Sequence, residues 1–296
     1  MKGPHPLAPS PAPPRTLPGR GGTHFEPVPP GTAGVPPALT REGAFDVLAP
    51  AYDSSFTATP LGTLLRRAVW KRLDVSFAPG RHVLELACGT GEDAVHLAER
   101  GVRVLATDAS PVMVETARRK VSRAGLGGLI DARHLPIEDL PRLSEQTFDG
   151  AFSDFGGLNC VADLRAVARD LAALLRPGAP LLLCVMGPIV PWEWAWYLGH
   201  GQPGKAFRRL RPGGVAWRGL TVRYPSIRSL RRAFSPAFHF RRVSGVGVFL
   251  PPTYAEEWTR RHPRLLAALD RWERRLAAVR PFPWLADHFL VELERA

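Results

Sequence analysis

A glycine-containing turn after a short apolar segment is the part of the sequence best suited to hold a ligand. Residues 83–91 are Val-Leu-Glu-Leu-Ala-Cys-Gly-Thr-Gly, and residues 92–100 that follow have helical spacing. A strand that ends in such a turn and enters a helix brings backbone N–H groups against a ligand, and the start of the helix favours a negative group there. The turn therefore predicts a site for a nucleotide-like cofactor.

The details of the turn bear on which cofactor it would hold. A dinucleotide site is typified by G-x-G-x-x-G, but Ala87 stands where a first glycine is expected and Ala94 lies three residues beyond Gly91. The acidic Glu85 inside the strand is more typical of methyltransferases. The turn alone favours S-adenosylmethionine over NAD and leaves a dehydrogenase open as the competitor within the same fold.

Two aspartates further along the chain strengthen the interpretation that the cofactor is S-adenosylmethionine. Asp108 ends the second apolar strand, where a carboxylate can accept hydrogen bonds from both ribose hydroxyls. Asp131, followed by Ala132, comes after a short strand signal, and its carboxylate could accept a hydrogen bond from an adenine amine. Residues 148–155 supply a fourth strand, and 175–178 precede a fifth.

In this order and spacing, the set resembles the class I S-adenosylmethionine-dependent methyltransferases, and it is similar to their ubiquinone/menaquinone-type branch with its small-molecule relatives. The resemblance covers about residues 45–186. It implies S-adenosylmethionine as the cofactor and methyl transfer as the reaction. We expect a small, apolar or amphipathic acceptor, with O- or C-methylation favoured. The cofactor-binding residues that it implies are Tyr52, Glu85, Ala87, Cys88, Gly89, Gly91, Asp108, Ala109, Met113, Asp131, Ala132 and Ser153. Ala87 departs from the usual glycine, and we expect its methyl group to be tolerated.

For methyl transfer, the protein mainly has to align the nucleophile with the methyl carbon and the sulfur. A base is needed only when the nucleophile carries a proton. Asp154 lies just past the fourth strand, where a side chain can face both cofactor and acceptor, and His134 is a histidine that could act as a base. Both are candidate bases, although a loop cap or a surface histidine is the simpler interpretation. Asn159 is a candidate for orienting the acceptor, or an ordinary residue at a helix entry.

A tryptophan-rich segment follows residue 187. Trp192, Trp196 and Tyr197 would line an apolar acceptor pocket if this segment is a lid, or lie at the headgroups of a bilayer if it is a membrane contact. We favour the lid, and both interpretations indicate an apolar or amphipathic acceptor. No metal site is expected, because Cys88, Cys160 and Cys184 form no CxxC pair.

The net charge of +12 is concentrated in one part of the chain. Residues 194–254 contain no acidic residue. The basic residues there are Lys205, Arg208, Arg209, Arg211, Arg218, Arg223, Arg228, Arg231, Arg232, Arg241 and Arg242. Such a field could attract an anionic substrate, a membrane surface or nucleic acid. A nucleic-acid methyltransferase and a non-catalytic S-adenosylmethionine-binding protein therefore remain alternatives, neither of them favoured.

The alternation of strand and helix predicts an α/β protein with a Rossmann-like, doubly wound, mostly parallel seven-stranded sheet, an inserted lid lobe and an antiparallel last strand. Residues 1–40 are rich in proline and are expected to form a disordered tail. The cofactor-binding core is predicted over 41–187, the lid over 188–243 and the completion of the sheet over 244–296, with one helix from 255 to 279. No secretory signal is recognisable, so a cytoplasmic location is expected, with peripheral membrane contact left open.

Overall fold

Short apolar segments form the strands of a computed structural model of the protein, which describes residues 43–296 except the side chain of Tyr254. The predicted tail over residues 1–40 lies outside the described residues. The strands are β1 (His82–Leu86), β2 (Arg103–Asp108), β3 (Ile130–His134), β4 (Gly150–Ser153), β5 (Pro180–Met186), β6 (Val215–Trp217), β7 (Leu220–Val222), β8 (Phe238–Val246) and β9 (His288–Arg295). The central strands are buried along almost their whole length, as expected for a sheet that is covered on both faces.

The main sheet has the order β3-β2-β1-β4-β5-β9-β8. Strands β1 to β5 are parallel, and β9 runs antiparallel to both β5 and β8. The predicted mostly parallel, seven-stranded sheet with an antiparallel last strand is confirmed. The strand order reverses between β1 and β4, and in open α/β sheets such a reversal marks the place where ligands bind.

Helices cover both faces of this sheet. They are α1 (Gly43–Asp46), α2 (Ala49–Tyr52), α3 (Pro60–Ser76), α4 (Glu92–Ala98), α5 (Pro111–Arg123), α6 (Leu164–Leu174), α7 (Pro191–Gly199), α8 (Pro203–Ala206), α9 (Ile227–Phe234), α10 (Glu256–Arg261) and α11 (Pro263–Leu276). Side chains of successive strand residues enter different clusters: Leu84 and Leu86 pack with α6 and α9, whereas Val83 packs with α3 and α4. None of the helices among residues 43–296 is long and apolar enough to cross a bilayer.

The single helix expected over 255–279 is wrong, because the structure divides it into α10 and α11 at His262. Proline lacks the backbone N–H that a continuing helix needs, and its ring clashes with the preceding turn. Pro263 instead occupies the first turn of α11, where a missing N–H is no loss.

The segment between β5 and α9, residues 188–225, is called the insertion below. It contains α7, α8, a 3₁₀ turn at Arg208–Leu210 and the hairpin β6–β7. The predicted lid extended to residue 243, but α9 packs in the main core and β8 pairs with β9 in the main sheet. The part of the chain outside the core is therefore shorter than the prediction.

Candidate active site

The glycine turn follows β1 at the point where the strand order reverses. Ala87, Gly89 and Gly91 all have positive φ, of 54°, 53° and 77°. The left-handed conformation costs a residue with a Cβ about 1–2 kcal/mol, so Ala87 is held there by its surroundings. A Cβ built on Gly157 would lie 2.3 Å from the Cβ of Ala87. The methyl group of Ala87 thus occupies space that Gly157 leaves open, which explains how the turn accommodates alanine.

Asp108, at the end of β2, fixes the turn. Its Oδ2 accepts a hydrogen bond from the N–H of Gly89 and its Oδ1 one from the N–H of Ser110, both at 2.8 Å. Burial raises the pKa of Asp108, and the two N–H groups oppose that rise. A carboxylate has about four acceptor positions, so Asp108 keeps the capacity to bind a ligand's hydroxyl groups while it holds the turn.

A cavity opens at the carboxyl ends of the parallel strands and extends from the turn toward the insertion. Its loop end is lined by Tyr52, Ala87, Cys88, Gly89, Thr90, Asp108, Ala109, Met113, Ile137 and Glu138. Its apolar end is lined by Phe155, Met186, Trp217, Leu220, Val222 and Tyr224. The short N-terminal helices close over the loop end, since Asp46 accepts a hydrogen bond from Ser110 and Phe45 contacts Trp217 with ring centroids 5.2 Å apart. One continuous space therefore joins the turn to an apolar chamber.

Several buried acids surround the junction of the two ends. Arg66 donates a 2.5 Å hydrogen bond to Asp93, whose other oxygen accepts one of 2.6 Å from Trp70. Both oxygens of Asp154 and one of Glu85 are buried without a hydrogen-bond partner among the described residues. Burial first, and then the neighbouring acids, raise the pKa of Asp154 and of Glu85 well above the usual range.

A second buried charge network lies between the insertion and β9. Glu193 accepts ion-pair contacts from Arg208 at 3.0 Å and from Arg209 at 2.6 Å. Arg209 also donates to Asp287 at 2.6 Å, and Asp287 lies 3.0 Å from the ring of His288. Burial opposes ionisation of Asp287, yet Arg209 and His288 hold its pKa below the usual range. Arg208, Arg209, Asp287 and His288 line the cavity.

The structure brings part of the predicted site to the cavity wall. The residues that line it are Tyr52, Ala87, Cys88, Gly89, Asp108, Ala109, Met113 and Asp154. Glu85, Gly91, Ala132 and Ser153 are buried and do not line it. Gly91 is the N-cap of α4, and a Cβ there would lie 2.9 Å from that of Ala117, so its place is in helix packing.

Two predicted residues on β3 lie outside the cavity lining. Asp131 was expected to follow a strand, but β3 runs from Ile130 to His134, and the Asp131 carboxylate is 55 % exposed beside Arg133 at 2.5 Å. His134 is exposed, with Nε2 3.0 Å from the carbonyl oxygen of Ala109. The structure therefore places His134 outside the cavity lining.

The predicted substrate residues are also not brought to the cavity. Asn159 is fully buried, and its amide donates to the carbonyl oxygens of Met186 and Arg223 at 3.1 and 2.6 Å. Asn159 thus joins the end of β5 to the insertion. Trp192, Trp196 and Tyr197 lie on α7 and do not line the cavity. Tyr197 instead packs against Arg208 with 5.3 Å from guanidinium to ring centroid.

Sequence reasoning missed the residues that come from distant segments. Arg66, Phe155, Trp217, Tyr224 and His288 line the cavity from α3, the end of β4, the insertion and β9. The basic stretch was noticed as a charged surface, but Arg208 and Arg209 are turned inward and paired. The signal that could have identified them is the pair of adjacent arginines in a segment without acidic residues. Such a pair, if buried, needs acidic partners from other parts of the chain.

Comparison with known proteins agrees with this geometry. Residues 83–178 match the family model described as a methyltransferase domain. The chain is 27 % identical to the demethylmenaquinone methyltransferase of Lactiplantibacillus plantarum, over 69 % of this chain and 90 % of the relative. It is 32 % identical to the ubiquinone/menaquinone biosynthesis C-methyltransferase UbiE of Geotalea daltonii, over 49 % of this chain and 64 % of the relative.

Among solved structures, the cyclase SpnF has a TM-score of 0.58 at 17 % identity, over 89 % of this chain and 99 % of SpnF. That likeness shows the fold alone, because one fold hosts many activities. The methyltransferase domain and the named relatives define the class: the chain is an S-adenosylmethionine-dependent methyltransferase, and its cofactor is S-adenosylmethionine. The named relatives to which it is similar are of the quinone type.

The residues present fit that cofactor. Asp108 retains acceptor positions for ribose hydroxyls, and Ala109, Met113 and Ile137 offer apolar surface for a base. Four acidic residues near the guanidinium of Arg66 are buried: Glu85, Asp93, Asp108 and Asp154. A ligand with a positive sulfonium would favour the ionised forms of these acids, and burial raises the pKa values of Glu85, Asp108 and Asp154. Among residues 43–296, no group of three or more potential ligands could hold a metal ion.

Proposed function

We propose that the protein transfers a methyl group from S-adenosylmethionine to a small, apolar or amphipathic acceptor, at oxygen or carbon. The observation that carries the proposal is the continuity of the cavity from Asp108 to the apolar end. A nucleotide-like ligand at the loop end and an apolar molecule at the other end would meet where Asp154 and Phe155 line the wall. A pocket with mostly apolar walls and few polar groups is typical of small-molecule sites.

At the loop end, Asp108 is proposed to accept hydrogen bonds from the ribose hydroxyls. The adenine is proposed to lie between Met113 and Ile137, with Tyr52 closing the site from the N-terminal side. When bound, S-adenosylmethionine supplies a methyl group that is already activated for transfer. The protein's contribution is then to align the acceptor and to exclude water.

Asp154, the candidate base from the sequence, lines the cavity, and both of its carboxyl oxygens are buried without a hydrogen-bond partner among the described residues. Its raised pKa makes it a better proton acceptor once it is ionised, and less ionised at a given pH. His134 is not proposed further as a base, because it does not line the cavity.

Quinol-type molecules are the first acceptors to test, since the relatives named above act on demethylmenaquinone or in ubiquinone/menaquinone biosynthesis. A lipid-like acceptor would be reached from a membrane surface. Leu198, Phe207 and Leu210 are 43–48 % exposed on the insertion, with the exposed Arg211 beside them. These side chains support a peripheral membrane contact as part of the proposal.

Nucleic acid is a weaker candidate partner. Two of the arginines that suggested it, Arg208 and Arg209, are buried and bound to Glu193. Paired, buried guanidinium groups are not available to contact phosphates.

The test is methyl transfer from tritium-labelled S-adenosylmethionine to reduced menadione, reduced short-chain demethylmenaquinone, 1-naphthol and total RNA. The proposal expects label in the organic extract with at least one of the first three acceptors. Label in RNA alone, or binding of the cofactor without transfer to any of them, would contradict it. The second outcome would favour a non-catalytic binder or a reaction such as that of the cyclase SpnF.

A further inference from the structure

His288 is a buried histidine at the apolar end of the cavity. It is the first residue of β9 and pairs in the sheet with Met186, the last residue of β5. Because β9 is antiparallel to β5, the start of β9 lies at the edge where the parallel strands end. The ring is 7 % exposed, lines the cavity and contacts Phe155 edge-on, with ring centroids 5.5 Å apart. His288 is therefore placed among the residues that would surround the acceptor.

The ring lies beside an acid that is itself fixed from the insertion. Nδ1 of His288 lies 3.0 Å from Oδ2 of Asp287. The other oxygen of Asp287 accepts a 2.6 Å hydrogen bond from Arg209, which also donates to the backbone oxygen of Asp287 at 3.1 Å. Glu193 holds the same guanidinium at 2.6 Å. With Nδ1 on the side of Asp287, Nε2 is the ring nitrogen that remains to meet a ligand.

We infer that His288 is the catalytic base of this site and that its Nε2 takes the proton from the hydroxyl group of a phenol- or enol-type acceptor. The inference rests on the proposed function and narrows the acceptor to a molecule with an acidic hydroxyl. An acid that holds one ring nitrogen while the other faces the reacting group is the usual arrangement of a histidine base. Asp287 and Arg209 are positioning residues, so the insertion contributes to the base as well as covering the site.

The step balances without any further reactant. The O–H bond breaks, its proton goes to Nε2, and its electron pair stays with the acceptor. If the methyl group is transferred to oxygen, that pair forms the new bond to the methyl carbon, and the proton on His288 leaves to solvent. If it is transferred to the adjoining ring carbon, the oxygen pair becomes the second bond of a carbonyl group while the ring π pair forms the new bond to the methyl carbon; that carbon then loses its own proton to solvent, the ring π bond re-forms, and the oxygen takes the proton back from His288. In both cases the carbon–sulfur bond breaks and its electrons return to sulfur.

Asp154 is less suited to this step. Burial and the neighbouring Asp93 raise the pKa of its carboxyl group well above the usual range, so Asp154 is less ionised at a given pH than an ordinary acid. The charged or titratable groups that share the apolar end with His288 are Asp287, Arg208, Arg209 and Tyr224. Of these, only Asp287 has an oxygen within 4 Å of the His288 ring among the described ion pairs.

The tautomer of His288 tests the inference without any acceptor. Nitrogen-15 NMR of the full chain in complex with S-adenosylhomocysteine at neutral pH, assigned with the His288→Gln variant, should show a neutral ring with its proton on Nδ1. A proton on Nε2, or a doubly protonated ring, would overturn the inference. This measurement can be made even if no acceptor in the panel is methylated. A wrong assignment of the catalytic base can therefore be distinguished from a wrong proposed function.

Kinetics supply the second test. With 1-naphthol or reduced menadione as acceptor, His288→Gln should lower kcat by about 10²–10⁴-fold, the range of general-base catalysis. Its affinity for S-adenosylhomocysteine should stay within about threefold of wild type, which also reports that the variant folds. Asp287→Asn should lower kcat and move the acidic limb of the pH profile of kcat to lower pH, because the ring loses its negative neighbour. The exposed His239→Gln should change neither kcat nor the pH profile. Unchanged kcat in His288→Gln at intact cofactor affinity would overturn the inference.

Discussion

Replacing Asp108 with asparagine changes the one side chain that links the glycine turn to the expected ribose position. The carboxylate accepts two backbone hydrogen bonds of 2.8 Å, from Gly89 and Ser110. An amide keeps one oxygen and turns an NH₂ group toward the other N–H, where it cannot accept. The variant therefore loses the charge and at least one charge-assisted hydrogen bond, each worth about 1.5–3 kcal/mol.

The ribose hydroxyls lose the same charged acceptor, and the loss of one such bond to the ligand corresponds to an increase in Kd of about 10–100-fold, because 1.4 kcal/mol is a factor of ten. Calorimetric titration with S-adenosylhomocysteine measures it directly. Glu145→Gln removes an exposed carboxylate away from the cavity and is the matched control, expected to bind like wild type. If Asp108→Asn is folded and binds within about threefold of wild type, the assignment of Asp108 to the cofactor is refuted.

Three further perturbations test the buried groups around the cavity. Arg66→Met leaves its buried acidic partner uncompensated and should cost about 3–5 kcal/mol in denaturant unfolding, whereas the exposed neighbour Arg67→Met should stay within about 0.5 kcal/mol. Equal effects would contradict a buried pair. Gly157→Ala should cost about 1–3 kcal/mol through the 2.3 Å approach to Ala87, and adding Ala87→Gly should restore most of it; no restoration would place the strain elsewhere. Burial raises the pKa of Asp154, so the folded chain retains this proton to higher pH than the unfolded chain, and stability falls as pH rises from the usual carboxyl pKa through the raised one. Asp154→Asn lacks this decline, so its melting temperature relative to wild type should rise with pH, and a pH-independent difference would contradict the assignment.

The sheet and the loop end of the cavity were predictable because their signals are local. Apolar strands separated by helices at regular spacing specify a parallel sheet, and the turn after β1 brings its own backbone to the ligand. Asp108 was found for the same reason, since it directly follows an apolar strand. The break at residue 262 also has a local signal, Pro263, whereas the boundary at 243 depends on the pairing of β8 with β9, for which the sequence carries no local signal.

The apolar end could not be predicted in the same way. Its walls come from the insertion and the start of β9, which meet only after the sheet has formed. The tryptophans of α7 suggested a lid, but the orientation of that helix leaves Trp192 and Trp196 outside the cavity lining. Arg209 and Asp287 are 78 residues apart in sequence, and no periodic pattern in the sequence predicts that they form a pair. The acidic partners of the basic stretch were therefore visible only in three dimensions.

The most direct test is a crystal structure of the full chain with S-adenosylhomocysteine. We predict ribose hydroxyls within about 2.7–3.2 Å of the Asp108 carboxylate, the adenine near Met113, and the sulfur directed toward Asp154 and the apolar end. A ligand bound outside this cavity, or one whose sulfur points away from Asp154, would contradict the central claim that cofactor and acceptor share one continuous site.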